Sequence, residues 1–352
     1  MNETNPSGQP ASDSTPAVKT TRRRAWRTFA IVAGAIVGVL AILTAAIFVL
    51  GNLGKLSGTA RHINEEPAWS PDGSQIAFTS DRGGNDDIYV MNSNGTNIRQ
   101  LTSNPFAALF LNSGNAADFA PAWSPNGKQI AFVSGRNNSS ITYVDTDIFI
   151  MDANGQNVTE WKGSRPYAAD KYPEWSPDGC CIIFTSSPIT ASGETGVSNI
   201  YLGSKNPGSE ADITNLTLVD AMDSDPSWSP DGTRVAFSSY KDDNWHIYVM
   251  NKDGSGMVQI TFGQGSEAEI SPEWSPDGAH IVYTGVLGTR ADIYSINVDG
   301  SQMVKLTNGP ANSYLAAWSP DSRRIAFVSN LEGVENISVM NADGSNVVQL
   351  TK

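Results

Sequence analysis

Pro67-Ala-Trp-Ser-Pro-Asp-Gly-Ser-Gln-Ile-Ala-Phe-Thr-Ser80 decides the fold, because the chain says it again. It returns as Pro226-Ser-Trp-Ser-Pro-Asp-Gly-Thr-Arg-Val-Ala-Phe-Ser-Ser239. Trp-Ser-Pro occurs six times, at Trp69, Trp123, Trp175, Trp228, Trp274 and Trp318, with intervals of 54, 52, 53, 46 and 44 residues. Downstream, Ile88-Tyr-Val-Met-Asn-Ser-Asn-Gly95 matches Ile247-Tyr-Val-Met-Asn-Lys-Asp-Gly254. A third block closes the unit: Gln100-Leu-Thr102, Gln259-Ile-Thr261, Lys305-Leu-Thr307 and Gln349-Leu-Thr351. A repeat of this length is a supersecondary unit that buries its apolar faces only against its neighbours.

Each unit reads as four short strands. The first ends at Trp, and Ser-Pro-Asp-Gly turns the chain, proline fixing φ and glycine supplying the freedom needed at the fourth position. Ile-Ala-Phe is the second strand and Ile-Tyr-Val the third, and Asn/Asp-Gly turns into the fourth at Leu-Thr. Four strands per unit is the pattern of a propeller blade. The expected fold is therefore all-β, a six-bladed β-propeller over residues 61–352, with four antiparallel strands per blade. The blades fall near 67–102, 121–160, 173–217, 226–261, 272–307 and 316–351. The sixth unit completes its own fourth strand, so closure is expected from packing of blade six against blade one. Arg61-His62-Ile63 is the one candidate for an extra edge strand there.

Pro-x-Trp-Ser-Pro-Asp-Gly-x-x-Ile-Ala-Phe, followed by Ile-Tyr-Val-Met-Asn-x-Asp-Gly and Leu-Thr, resembles the WD-like repeat of the TolB propeller family. Propellers of tricorn and prolyl-oligopeptidase-type proteases have related repeats. The resemblance spans about residues 61–352 and implies an extracytoplasmic propeller with protein partners. TolB proteins carry an α/β domain before the propeller; this chain instead has an apolar run and a linker, 51–60.

That run extends from Phe29 to Leu50 without a charge. As a helix at ~1.5 Å per residue it is roughly 33 Å long, enough to cross a bilayer. Arg22, Arg23, Arg24 and Arg27 precede it, and Lys55 follows at a distance. The positive-inside rule then predicts a cytoplasmic, disordered tail at 1–28, an anchor at 29–50 and an extracytoplasmic body, periplasmic or at the cell surface. The rival reading is a cleaved export signal, for which the run is long and lacks a small-x-small site just beyond it.

The 352 residues hold 36 Asp and Glu against 23 Lys and Arg, a net charge of −13. The tail is basic, so the body beyond residue 28 is more acidic still. Phosphate neutralisation needs Lys and Arg, and nucleic acid is excluded as a partner. Two cysteines make neither a disulfide scaffold nor a multi-zinc protein. Cys180 and Cys181 are adjacent on a strand and are expected as free thiols. His62, His246 and His280 fall at different places in different units, away from metal-ligand spacing. No Gly-x-Ser-x-Gly elbow appears.

Features shared by all six units are architectural, and the six tryptophans are assigned to the core. The turns between strands one and two, and three and four, share one face and are short. On the other face, Ser103–Ala120, Gly135–Thr146 and Ser186–Ser198 are long and differ between units. Variable loops on a rigid scaffold are where recognition resides, so an envelope protein or peptide is expected on that face. One position there is distinctive, three residues before the repeat proline: Asn64, Asp118, Asp170, Asp223, Glu269 and Ser313. Its carboxylates either brace their own turns or converge as an acidic ring at the channel mouth, attracting calcium or a basic partner. No other cofactor is expected. The functional expectation is a membrane-anchored binding scaffold. The alternative is a propeller enzyme, a glycan, lactone or peptide hydrolase using acidic residues in the central funnel.

Overall fold

Ile76-Ala-Phe78 is apolar without alternation, and all three side chains are fully buried. That pattern belongs to a strand covered on both faces, and it appears in the second strand of every unit. In the computed structural model the first unit consists of β1 (Asn64–Trp69), β2 (Gln75–Ser80), β3 (Asp87–Asn92) and β4 (Arg99–Gln100). They pair antiparallel in sequence order. The structure describes residues 62–103, 117–137, 145–165, 167–190, 195–206, 208, 212–218, 221–263, 266–331 and 333–352. Among them are 24 strands in six successive sets of four, the fourth and fifth sets joined by one parallel bridge between Trp245 and Ala268.

Each Ser-Pro-Asp-Gly turn locks itself. Ser70 Oγ donates to Asp72 Oδ1 at 2.6 Å, and Asp72 also accepts the Ser74 amide at 3.0 Å. The same bonds recur at Ser229–Asp231 and Ser275–Asp277. At the other end of a set, the threonine of Leu-Thr accepts the first amide of the third strand's apolar core, as Thr102 does from Ile88 at 2.9 Å.

The hydrophobic clusters lie between sets rather than within them. Ala77, Ile88 and Val90 of the first set pack with Ile130, Phe132 and Phe149 of the second. The sixth set packs in the same way on the first, through Ala326, Val328 and Ile337 against Trp69, Ile76 and Phe78. The arrangement is a closed ring. Among the described residues no strand is exchanged at the seam, and the sixth set ends with its own Val348–Gln349. Trp69 Nε1 donates to the Ala317 carbonyl at 3.2 Å and the Asn64 amide to that of Glu335 at 3.0 Å. Gly95, at φ +82°, would bring a Cβ within 2.9 Å of the Leu350 carbonyl oxygen, so the close approach needs glycine. His62 and Ile63 are not in a strand; the Ile63 amide is held by Asp81 Oδ1 at 2.9 Å.

The expected tail, anchor and linker lie outside the described residues, as do 104–116, 138–144 and 191–194 from the three long loops. Among the described residues no helix is long and apolar enough to cross a membrane.

Candidate binding cavity

The first strand of every set carries a β-bulge. Between Glu65 and Ala68 the register with β2 slips by one residue, and Glu66 takes φ 53°. Its counterparts Ala120, Tyr172, Asp225, Ser271 and Leu315 have φ of 51–52°. Five of the six stand just before a proline, which lacks the amide for a regular ladder. The bulge turns these side chains into the centre of the ring. There they line a cavity of about 320 Å³, together with the residues before each tryptophan, such as Ala68, Ala122, Glu174, Glu273 and Ala317.

The wall is chemically lopsided. Glu66, Glu174, Asp225 and Glu273 put carboxyls on it from the first, third, fourth and fifth sets, while Ala120, Ala122, Leu315 and Ala317 make the second and sixth apolar. Glu66 accepts Thr79 Oγ1 at 2.8 Å and the Ala120 amide at 2.6 Å, tying the first set to the second. Glu174 accepts the Trp228 amide at 3.0 Å and ties the third set to the fourth. Burial raises all four carboxyl pKa values. Glu273 is pushed up to about 8, and the charge of Glu273 adds to burial in lifting Glu174 well above the usual range. Asp225 rises to about 6, with Lys171 and the Ser238 hydroxyl pulling it back. Lys171 itself is lowered by burial, against the pull of Asp225 and Glu66. Burial thus favours the protonated forms of Glu174 and Glu273, a preference that a nearby cation would oppose.

On the turn side the mouth is ringed by Pro71, Pro125, Pro177, Pro230, Pro276 and Pro320, with Glu174 and Glu273 just inside. Successive turns interlock around it: a Cβ on Gly127 would touch Pro71 at 3.3 Å and one on Gly73 would touch Pro320 at 3.7 Å.

The carboxylates singled out by sequence stand elsewhere. Asp118, Asp170, Asp223 and Glu269 are buried and none lines the cavity. Asp118 accepts Ser134 Oγ at 2.5 Å and Arg136 Nη2 at 2.6 Å. Asp170 accepts the Arg165 amide at 2.8 Å. Glu269 accepts His246 Nδ1 at 2.8 Å, Ser266 Oγ at 3.0 Å and the Gly263 amide at 3.2 Å. Asp223 lies among Ser239, Thr217 and Lys241, and burial lifts it to about 6. Asn64 receives the Ser80 hydroxyl and Arg82, and Ser313 is buried at the equivalent place. This is the bracing geometry, with partners drawn from the strand ends and connections beside each residue, as His246 and Gly263 reach Glu269 from the fourth set and the connection after it, rather than from a shared ring. The tryptophans Trp69, Trp175, Trp228, Trp274 and Trp318 are buried at the set interfaces, and Trp123 is partly buried there.

Among the described residues no group of three or more His, Cys, Asp or Glu is arranged to hold a metal. His62 stands 3.4 Å from Asp81, and His246 belongs to Glu269. Cys180 and Cys181 are free thiols at the start of a second strand, and burial with the neighbouring Cys180 pushes Cys181 up to about 12.

Residues 266–352 match the PD40 family, described as the TolB beta propeller domain. An uncharacterised protein of Agrobacterium fabrum is 27% identical over 223 residues, 60% of this chain and 66% of its own length. A TolB homologue of Chlorobium luteolum is 28% identical over 183 residues, 51% of this chain and 34% of the homologue. The chain thus spans less than two thirds of these relatives. The crystal structure of TolB from Acinetobacter baumannii superposes with a TM-score of 0.60 at 18% identity, covering 83% of this chain and 64% of that one. The TolB beta propeller domain model thus matches residues 266–352, and the likeness to TolB structures gives the described residues a β-propeller fold.

Proposed function

We propose that this chain is a membrane-anchored, extracytoplasmic, six-bladed propeller that holds a protein or peptide segment in its central cavity. The six sets are its blades, residues 29–50 its anchor, and the arginines before them keep the tail in the cytoplasm. The likeness to a TolB homologue supports a place in the cell envelope. The observation that carries the reading is the cavity wall, with carboxyls from four sets and an apolar lining from the other two. A concave, mostly preformed site with a few convergent polar groups is what small segments bind. Its chemistry suits an apolar segment bearing a lysine or arginine, whose charge would replace the protons on Glu174 and Glu273.

The test is fluorescence anisotropy of a labelled lysine-containing apolar peptide with the full chain in detergent. Binding tightens as pH rises from 6 towards 9, because Glu273 ionises near 8. Changing Glu174 and Glu273 to Gln weakens it by about tenfold and flattens that pH dependence. Equal affinity in the variant, at every pH, overturns the reading.

The charge of Glu273 acting on Glu174 favours one other reading. Neighbouring carboxyls whose environments differ can serve as acid and base in glycan hydrolysis. Release of reducing ends from a glycan panel, lost in Glu174→Gln, would decide for it.

A further inference from the structure

We propose that Cys180 and Cys181 form a dithiol site for a trivalent metalloid hydroxide such as arsenous acid, on the turn face between the third and fourth sets. Strand alternation would send neighbouring side chains to opposite faces. Here the strand, Cys181–Pro188, begins at the second cysteine, and Cys180 belongs to the turn, just after Gly179 at φ +68°. Both residues line one cavity of about 480 Å³, which has Leu202, Leu216 and Trp228 as its apolar wall. Cys180 is exposed and Cys181 partly so. Cys180 Sγ stands 3.8 Å from Ser176 Oγ, and the Cys181 thiol is hydrogen-bonded to both Cys180 and Ser176. Two sulfurs and a hydroxyl therefore meet at one point of the wall.

The fold does not ask for this pair. The first set has Ser74-Gln75 in its place, and the second Lys128-Gln129. The turn closes in the same way without sulfur: the Gln75 amide donates to Ser70 Oγ at 2.9 Å, as the Cys181 amide does to Ser176 Oγ at 3.0 Å. The matching cleft between the first and second sets, about 380 Å³, is lined by Gln75 where the larger one has Cys181. The cleft belongs to the repeat, and the thiols to the third set alone.

The surroundings select what two such thiols take. An internal disulfide must draw the sulfurs to about 2.05 Å and twist the peptide between the two residues. That peptide is held at both ends, its Cys180 carbonyl accepting the Lys205 amide at 2.7 Å and its Cys181 amide bonded to Ser176. A metal cation needs thiolates. Burial first, and then the neighbouring Cys180, push Cys181 up to about 12. Asp178, Asp231 and Asp253 line the same cavity, with Lys252 the one base among its described lining residues, so an anionic pair of thiolates is disfavoured. A metalloid hydroxide accepts neutral thiols. Two thiols and one As(OH)3 give a single As–OH bonded to both sulfurs, and two waters. Two As–S bonds form and two As–O bonds break, each departing hydroxide leaves with a thiol proton, and no oxidation state changes. The bridging atom keeps the sulfurs farther apart than a disulfide does, so the peptide keeps its bonds, and the remaining hydroxyl lies beside Ser176 Oγ.

The experiment uses the full, reduced chain in detergent with arsenite as the probe, read by native mass spectrometry and by thiol titration. One arsenic per chain is expected, with both thiols lost to titration and restored by an excess of a small dithiol. Affinity should stay level between about pH 6 and pH 8, because no proton is released. Cys180→Ser and Cys181→Gln together recreate the Ser74-Gln75 pair of the first set and so keep the fold, which an unchanged unfolding midpoint checks. Either change alone should weaken binding by about tenfold or more, since the second bond closes on a ligand already held by the first. Parent-like affinity in either single variant, or in the double variant, overturns the dithiol site. Absence of an adduct in the parent overturns it as well. Affinity that climbs steeply with pH shows that thiolates are required and overturns ligation by the neutral pair.

Discussion

Asp118 and Asp223 occupy the same repeat position and have opposite fates under substitution. Asp118 is fully buried and its charge is matched by Arg136 Nη2 at 2.6 Å. Asp118→Asn leaves that guanidinium, only partly reached by water, without its counter-charge and is expected to cost about 2 kcal/mol. Asp223 has no such partner within reach and is driven up to about 6 by burial, with Lys241 a weaker influence. Asp223→Asn removes a charge that burial disfavours, and is expected to change stability at pH 7 by less than about 0.5 kcal/mol. Urea unfolding midpoints of the two variants measure the difference; equal losses would contradict the assigned partners. Millimolar calcium should leave the melting temperature of the parent unchanged, because each of these carboxylates has its own local environment. A calcium-induced rise would favour the acidic ring over bracing.

The elements were legible because each blade edge is written six times over. Trp-Ser-Pro-Asp-Gly and Asn-x-Asp-Gly fix the turns, and the Leu-Thr end fixes the start of the third strand through the threonine hydroxyl. The cavity wall was not legible, and the reason is the bulge. Strict alternation would put Asn64, Glu66 and Ala68 on one side of β1. The extra residue between Glu65 and Ala68 breaks that alternation, so that Asn64 is buried against Glu335 and Asn336 of the sixth set while Glu66 enters the cavity. The usable signal was the pairing of a repeat proline with an unrepeated residue before it. Glu66, Ala120, Tyr172, Asp225 and Ser271 differ while the proline after each of them recurs. Another element-level feature, seam closure, was anticipated as packing alone, and Gly95 now gives it a test. Gly95→Ala places a methyl 2.9 Å from the Leu350 carbonyl oxygen at φ +82° and is expected to cost more than about 2 kcal/mol. Gly288→Ala, at φ +59° with nothing nearby, should cost about 1 kcal/mol. Matching losses in the two variants would mean the seam is looser than the close approach implies.

At the scale of the whole molecule the buried carboxyls give stability a direction in pH. Glu65 and Glu273 are raised from 4.5 to about 8, and Asp87, Asp147 and Asp170 from 3.8 to about 7. Burial is the largest cause in each case. A carboxyl raised in the fold keeps its proton where the unfolded chain has lost it. The folded state then binds more protons, and stability falls as pH rises through the window from about 4 to 8. The turn aspartates run the other way: Asp178 and Asp231 are lowered to about 2 by their serine and backbone bonds. Their small contribution, small because both are solvent-exposed, is present above the ordinary 3.8 and lost as pH falls through 2. Thermal unfolding should therefore peak near pH 4 to 5 and decline towards pH 8. Glu65 matters most to this because of where it stands. Its Oε1 accepts the Tyr314 hydroxyl of the sixth set at 3.3 Å, with Glu66, Glu335 and Asp86 adding to the rise. It is a hydrogen bond across the seam that ionisation would surround with like charge. Glu65→Gln keeps the acceptor and discards the charge. It should raise the melting temperature at pH 8, by an amount of order 2 kcal/mol in stability, and leave it nearly unchanged at pH 4.5. Calorimetric scans of parent and variant at the two pH values check this. An equal shift at both, or a loss at pH 8, would show that the seam does not draw its pH dependence from Glu65.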